Sequence, residues 1–242
     1  MDKSIKPYFS IAIPTWEING LGSEYLEHSF NILAQQTFTN FEVVISDHSQ
    51  DNKILELCET WNFHNLLNIK YYRNIISRGK IAPNMNNAIK NSTGSYIKIL
   101  SHDDFLYDID SIQIIYDHIQ KHQDCEWIVT GCTHTDDTII MYDKMIPYYH
   151  DKIYQGINTI SCPTVLTIKN HGSDTLLLRE NLNWLLDCCY YKDLYDKYGL
   201  PCVIEDICAV NRNAEVRTTT MTTELQKQQE LELVNQIYDT IR

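Results

Sequence analysis

Short apolar runs alternate with longer stretches of helical periodicity along the first half of the chain. Phe9-Ser10-Ile11-Ala12-Ile13 reads as a buried strand closed by Pro14-Thr15, and Ser23 to Gln36 then repeats Leu26, Phe30 and Leu33 on one helical face. Phe41-Glu42-Val43-Val44-Ile45 predicts a second strand, Ile54 to Trp61 a helix, and Ile69-Lys70-Tyr71-Tyr72 a third strand. A helix around Met85 to Lys90 follows the Gly79 turn. The fourth strand, Ser95-Tyr96-Ile97-Lys98-Ile99-Leu100, runs into Ser101-His102-Asp103-Asp104. Four βα units predict an α/β fold with a mostly parallel, doubly wound sheet whose loops gather on one edge. That edge collects Thr15, Asp47, Asp51 and the acidic pair, and in open α/β sheets it is where ligands bind.

Asp110-Ser111-Ile112-Gln113 has capping-box form and predicts a helix to about His122, followed by a strand from Glu126 to Thr130. Beyond Thr138 the pattern is less regular, with short strands expected at Ile139-Ile140-Met141-Tyr142 and Thr164-Val165-Leu166-Thr167-Ile168. Asn181 is placed to cap a helix with a stripe of Trp184, Cys188, Tyr191, Tyr195 and Tyr198, ended by Gly199-Leu200-Pro201. Val203 to Ile207 resumes extended structure. Thr223-x-x-Gln226 then opens a last helix showing Leu231, Val234, Tyr238 and Ile241 on one face, which is expected to pack on the sheet.

Composition adds bounds to this pattern. The 242 residues suffice for a sizeable core, and with sparse glycine (8) and proline (6), no linker and no repeat, they read as one domain. The formal charge of −12 argues against a nucleic-acid or anionic-membrane partner. Neither a signal peptide nor a membrane-spanning run is evident, so a soluble, cytoplasmic protein is expected. The eight cysteines lack CxxC spacing and several sit in apolar runs, so they are expected to be reduced core thiols, with zinc disfavoured.

Asp103-Asp104, directly after a strand, offers hard oxygen donors suited to Mg²⁺ or Mn²⁺ shared with a phosphate-bearing substrate. An Asp-rich turn would explain the pair equally simply. Neither GxGxxG nor GxxxxGK[ST] occurs, which weakens dehydrogenase and ATPase readings. Asp47, at the end of the second strand, is suited to accept a hydrogen bond from a base or a ribose hydroxyl.

Ser10-Ile11-Ala12-Ile13-Pro14-Thr15, Gln36 to Asn52, Asn84-Met85-Asn86-Asn87-Ala88-Ile89 and Thr93 to Leu106 together resemble glycosyltransferase family 2. The last stretch is similar to that family's N-x-x-x-A…G-x-Y-I-x-x-L-D-x-D-D pattern. Glu180, Trp184-Leu185-Leu186-Asp187 and Val210-Asn211-Arg212 resemble its acceptor-side E-x-x-x-W-x-x-D…R region. The resemblance implies a GT-A fold, with residues 1–131 as the nucleotide-sugar half and 132–242 as the acceptor half. It implies an inverting transfer from a UDP-, dTDP- or GDP-sugar to a glycan, lipid-linked or protein acceptor. Pro14 and Thr15 would line the nucleoside site, Asp47 read the base, and Arg78 contact base or phosphate. Asp103, helped by Asp104, would hold Mn²⁺ or Mg²⁺; Asp187 would be the general base; Arg212 would support the diphosphate. Ser101 stands where the family has its first acid and would bond the ribose without adding charge. Two alternatives stay open: a metal-dependent nucleotidyltransferase, and a non-catalytic nucleotide-sugar or carbohydrate-binding module.

Overall fold

The computed structural model describes residues 6–18, 20–213 and 222–239. Strands β1 (Phe9–Thr15), β2 (Phe41–Asp47), β3 (Ile69–Arg73) and β4 (Tyr96–Ile99) alternate with helices α1 (Gly22–Leu33), α2 (Lys53–Phe63) and α3 (Ile81–Lys90), as the apolar pattern predicts. The chain continues through β5 (Phe105–Leu106), α4 (Ser111–Lys121), β6 (Trp127–Thr135), β7 (Tyr142–Met145), β8 (Leu166–Lys169), α5 (Leu186–Tyr198), β9 (Cys202–Arg212) and α6 (Glu224–Asp239). The strands form one sheet in the order β3-β2-β1-β4-β8-β6-β9-β5, with β7 paired to β6. The first four are parallel to one another, whereas β8 runs antiparallel to both β4 and β6.

Side-chain alternation along the strands divides the core between the two faces of the sheet. Phe9, Ile11, Ile13, Val43 and Ile45 point to one side, where Leu26 and Phe30 of α1, Ile54 of α2 and Ile115 of α4 cover them. Ala12, Ile97, Ile99, Trp127 and Val129 belong to the other side, with Met85 of α3, Tyr191 of α5 and Val234 of α6. Each such side chain taken fully from water contributes roughly 1.5–3 kcal/mol of transfer free energy. Pro14 is tolerated near the middle of the sheet because β4 departs there. The last β1–β4 pair is Ala12 with Ile99, followed by a bond from Leu100 N to Ala12 O, so the missing N–H interrupts no ladder. Gly131 marks a register shift between β6 and β9, and a Cβ on it would lie 2.8 Å from the Glu205 carbonyl oxygen and 2.9 Å from that of Asp206.

Several local expectations are corrected. Asp110 precedes α4 but makes no capping bond; Gln36 Oε1 accepts Ile112 N at 3.1 Å in its place. Ile139 and Ile140 form an exposed turn held by Asp137 Oδ1, and extended pairing begins only at Tyr142. Pro163–Val165 is a 3₁₀ turn, so β8 starts at Leu166. Asn181 does not cap α5, which starts at Leu186 after a bend held by a distant carboxylate described below. The Thr223/Gln226 box does form. α6 joins the core on one face of the sheet through Val234, and it also docks on α5 and the 3₁₀ turn Ile153–Gln155: Tyr238 Oη donates to Cys189 O at 3.2 Å and Asp193 Oδ1 at 2.8 Å. Ile241 lies outside the described residues. Nor are all cysteines reduced, since Cys125 and Cys202 are disulfide-bonded while Cys58, Cys132, Cys162, Cys188, Cys189 and Cys208 are free. Among the described residues no helix is long and apolar enough to cross a membrane.

Candidate active site

The carboxyl ends of β1, β2 and β4 set out the residues singled out from sequence. Thr15 and Asp47 are paired across β1 and β2, as are Pro14 and Ser46. Thr15 O accepts His48 N and Asn84 Nδ2, leaving the Thr15 hydroxyl buried without a partner. Asp47 is wholly buried. Its Oδ1 accepts Ser49 N at 2.7 Å and its Oδ2 accepts Tyr71 Oη at 2.6 Å, with Arg73 at 3.5 Å. Arg78 is exposed in the turn between Ser77 and Gly79, both at positive φ, and its charge joins burial in holding His48 below the ordinary imidazole value.

Asp103 and Asp104 have different surroundings. Asp104 is buried and engaged at both oxygens: Oδ1 accepts Arg212 N at 2.9 Å, while Oδ2 accepts the Thr164 hydroxyl at 2.5 Å and the Cys162 thiol at 3.1 Å. Burial, with Asp103 adding like-charge repulsion, pushes its pKa up to about 7. Asp103 is half-buried, and its carboxylate has no partner among the described residues; its carbonyl oxygen accepts Arg212 Nε at 2.9 Å. The Arg212 guanidinium lies 4.4 Å over the Tyr25 ring with its Nη2 buried and unpartnered. Ser101 N donates to Thr164 Oγ1 at 3.1 Å, and its carbonyl accepts Asp104 N. Beneath them Lys98, fully buried, donates to Thr164 O, and burial lowers its pKa to about 8.

Asp187 lies in the first turn of α5, where its Oδ1 accepts Cys188 N at 2.8 Å and its Oδ2 accepts Asn158 Nδ2 at 2.9 Å. Burial outweighs these bonds and raises its pKa to about 6. The Cys188/Tyr191 stripe packs inward, as expected. Asn158 begins the segment that also reaches the acidic pair. Its Oδ1 accepts Ile160 N and Ser161 N as an Asx turn, and Ser161 (φ 92°) accepts Asn211 Nδ2 at 2.8 Å. Cys162 and Thr164 then bond Asp104, so seven residues join the carboxylate of α5 to the one after β4.

Sequence reasoning missed Asn158, Ser161, Cys162, Thr164 and Asn211, and it missed Glu230. From α6, the Glu230 carboxylate accepts the N–H groups of Asn183 (2.9 Å), Trp184 (2.9 Å) and Leu185 (3.0 Å), holding the bend that leads into α5 from 45 or more residues away. An Asx-turn pattern at Asn158 and the turn propensity of Cys162-Pro163 were the only local signals; Glu230 carried none.

A divalent cation fits this arrangement. Asp103 presents an unpartnered carboxylate beside an arginine with a free donor, a donor set suited to a metal–diphosphate ligand. Buried polar atoms lacking a partner among the described residues also include Glu17 Oε1, His48 Nε2 and His102 Nε2, neighbours of Thr15 and Asp103. Such atoms are costly to leave unpaired, which marks the edge as a polar ligand site.

The parallel βα half with its acid-tipped fourth strand, followed by a half of mixed pairing that carries a second carboxylate, defines a GT-A sheet of the kind found in sugar-nucleotide enzymes. The family model described as glycosyl transferase family 2 matches residues 10–171, and the chain belongs to that family. Among solved structures it is similar to S. aureus TarS 1-349 in complex with UDP-GlcNAc, at 18% identity and a TM-score of 0.69, over 93% of this chain and 65% of that one. It is also similar to the mannosyltransferase PcManGT from Pyrobaculum calidifontis in complex with GDP-Man and Mn²⁺, at 14% identity and a TM-score of 0.63, over 90% and 60%. The chain thus spans about two thirds of these structures' length or less. No curated protein sequence matches it.

Proposed function

We propose that the chain transfers a sugar, with inversion, from a nucleoside-diphosphate sugar to an acceptor hydroxyl, Asp187 acting as general base. The observation that carries this reading is the Asp187 carboxylate. It is held by Asn158, raised to about 6 by burial, and joined through one short segment to the acidic pair. A base must be ionised at working pH yet basic enough to take a proton, and a value near 6 meets both needs. Inversion follows if that base accepts the proton as the acceptor oxygen attacks opposite the departing nucleotide.

Pro14, Thr15 and Asp47 line the nucleoside end, Ser101 bonds the ribose, and Arg78 contacts base or phosphate. Asp103, with Asp104 behind it, would hold Mn²⁺ or Mg²⁺, which when bound offsets diphosphate charge. Arg212 supplies a second positive charge through its unpartnered Nη2. The UDP-GlcNAc and GDP-Man held in the similar structures support a UDP- or GDP-sugar donor. The half before residue 132 binds the donor and the remainder the acceptor.

A screen of nucleotide sugars for acceptor-dependent release of nucleoside diphosphate tests the proposal. Wild type should turn over at least one donor. Asp187→Asn should lose roughly 10²–10⁴-fold in kcat while donor affinity persists. A fully active Asp187→Asn removes the base assignment. A wild type that binds donor but never turns over favours the binding-module reading, which the serine at position 101 supports.

A further inference from the structure

The opposite edge of the sheet carries a cluster that sugar transfer does not use. Cys202 opens β9 and is paired with Ile128 of β6, while Cys125 stands just before β6, its N–H bonded to His122 O at 3.2 Å. β9 runs from Cys202 to Arg212, so this cluster and the candidate active site lie at opposite ends of one strand, about 30 Å apart along it. The last turn of α4 brings His118 against the two sulfurs, and a ring nitrogen of His118 and both Sγ atoms lie within 4.8 Å of one another. Among the described residues no other three His, Cys, Asp or Glu side chains converge in this way. His122 stands one turn further along, exposed, with its ring centroid 4.6 Å from that of His118.

A disulfide uses the sulfurs alone and gives the imidazole beside them nothing to do. Two thiolates and one imidazole are the donor set that a borderline-soft divalent ion takes, with Zn–S of about 2.3 Å and Zn–N of about 2.0–2.1 Å. On a tetrahedral ion these lengths separate the two sulfurs by about 3.7 Å and sulfur from nitrogen by about 3.5 Å, so the two sulfurs must move apart once their bond is reduced, while all three donor atoms stay within the 4.8 Å they now span. The Cα–Cα distance of 6.0 Å between Cys125 and Cys202 suits a bonded pair and also a pair sharing an ion. Cys202 is fixed in β9 and Cys125 sits in the short turn between α4 and β6, with His118 in the last turn of α4 and His122 at its C-terminal cap.

We propose that, once the Cys125–Cys202 bond is reduced, Cys125, Cys202 and His118 form a binding site for a zinc-type divalent cation, with the fourth position within reach of His122. A two-electron reductant, a thiol or a phosphine, converts the disulfide to two thiols. Metal binding then releases two protons as both sulfurs ligate as thiolates. The site is independent of the donor cleft and does not rest on the sugar-transfer reading.

The experiment uses the full chain reduced with a phosphine, loaded with Co²⁺ or Zn²⁺ and desalted, with metal counted by mass spectrometry and cobalt ligation followed by absorption. Wild type should retain about one ion per chain and show a thiolate-to-cobalt charge-transfer band. Cys202→Ser should lose the band, and His118→Ala, a change at a half-buried helix position that leaves both cysteines in place, should weaken binding at least tenfold. Asp103→Asn should retain metal and band. Retention of less than a tenth of an ion by wild type overturns the proposal. So does a cobalt spectrum indifferent to His118→Ala, or a Cys125–Cys202 bond that survives the phosphine.

Discussion

Asp187 differs from a surface aspartate in where its proton sits. Because burial lifts its pKa to about 6, a base at this position is half protonated near pH 6 and ionised above it. The rate should therefore climb tenfold per pH unit below that value and level off above it, and a kcat profile between pH 4.5 and 8 would show the limb. Asn158→Ala removes the amide that favours the charged form and should move the limb to higher pH. Thr164 has a different role: its hydroxyl donates to Asp104 and accepts from Ser101 N. Thr164→Val keeps the shape and strands both partners in a buried setting, so unfolding in urea should show a loss of about 2–4 kcal/mol. Asp187 was named from the sequence, but the supporting bonds of Asn158 and Thr164 were not legible there. A threonine beside a proline looks like any turn residue, and its partners lie about sixty positions away.

Among the elements, α6 does most for a site that it does not enter. Its capping box, its Val234/Tyr238 stripe and its docking to α5 put Glu230 over three N–H groups of the bend that leads into the helix carrying Asp187. Glu230→Gln places an NH₂ group against those N–H donors. Stability should fall by about 2 kcal/mol, or roughly 4–8 °C in Tm by calorimetry, and kcat should fall with it as the first turn of α5 loosens. The helix and its packing on the sheet were legible from periodicity, but its docking on α5 was not. The same stripe fits a sheet or another helix, and only the hydroxyl of Tyr238 bonded to Cys189 O and Asp193 reveals the second contact. α5 was misplaced at its start for a related reason. Asn181 is a good cap by composition, yet a carboxylate from another helix holds the chain in a bend after it, and the helix begins only at Leu186. β1, β2 and β4 were legible because fully buried parallel strands read as mostly apolar runs, and the half-buried edge strand β3 because its tyrosines favour extended structure.

At the scale of the whole molecule, unpartnered polar atoms gather at one edge of the sheet, including Thr15 Oγ1, His48 Nε2, His102 Nε2 and Arg212 Nη2. A ligand that meets them should stabilise the fold by mass action. A thermal-shift titration with nucleoside diphosphate plus Mn²⁺ should raise Tm by the equivalent of about 2.7 kcal/mol at a hundred times Kd, with little response to the metal alone and a reduced one in Asp103→Asn. Equal stabilisation of Asp103→Asn would take that carboxylate out of the site. The edge formed by the first half could be read from strand order, because βα units bring their loops together whatever the side chains. The arrangement of the second half could not, since β8, β6 and β9 pair across long gaps in sequence.

Asp104 has one more consequence, for anyone who wishes to alter this protein. Its carboxylate and carbonyl together receive Arg212 N from β9, Thr164 and Cys162 from the Asn158–Thr164 segment, and the Ser29 hydroxyl of α1 at 2.7 Å. Three stretches of chain are thereby surveyed from a single benchmark. Libraries that vary this half of the chain should leave that benchmark and its four contacts alone and spend their diversity on exposed positions, such as Ile157 and Tyr148.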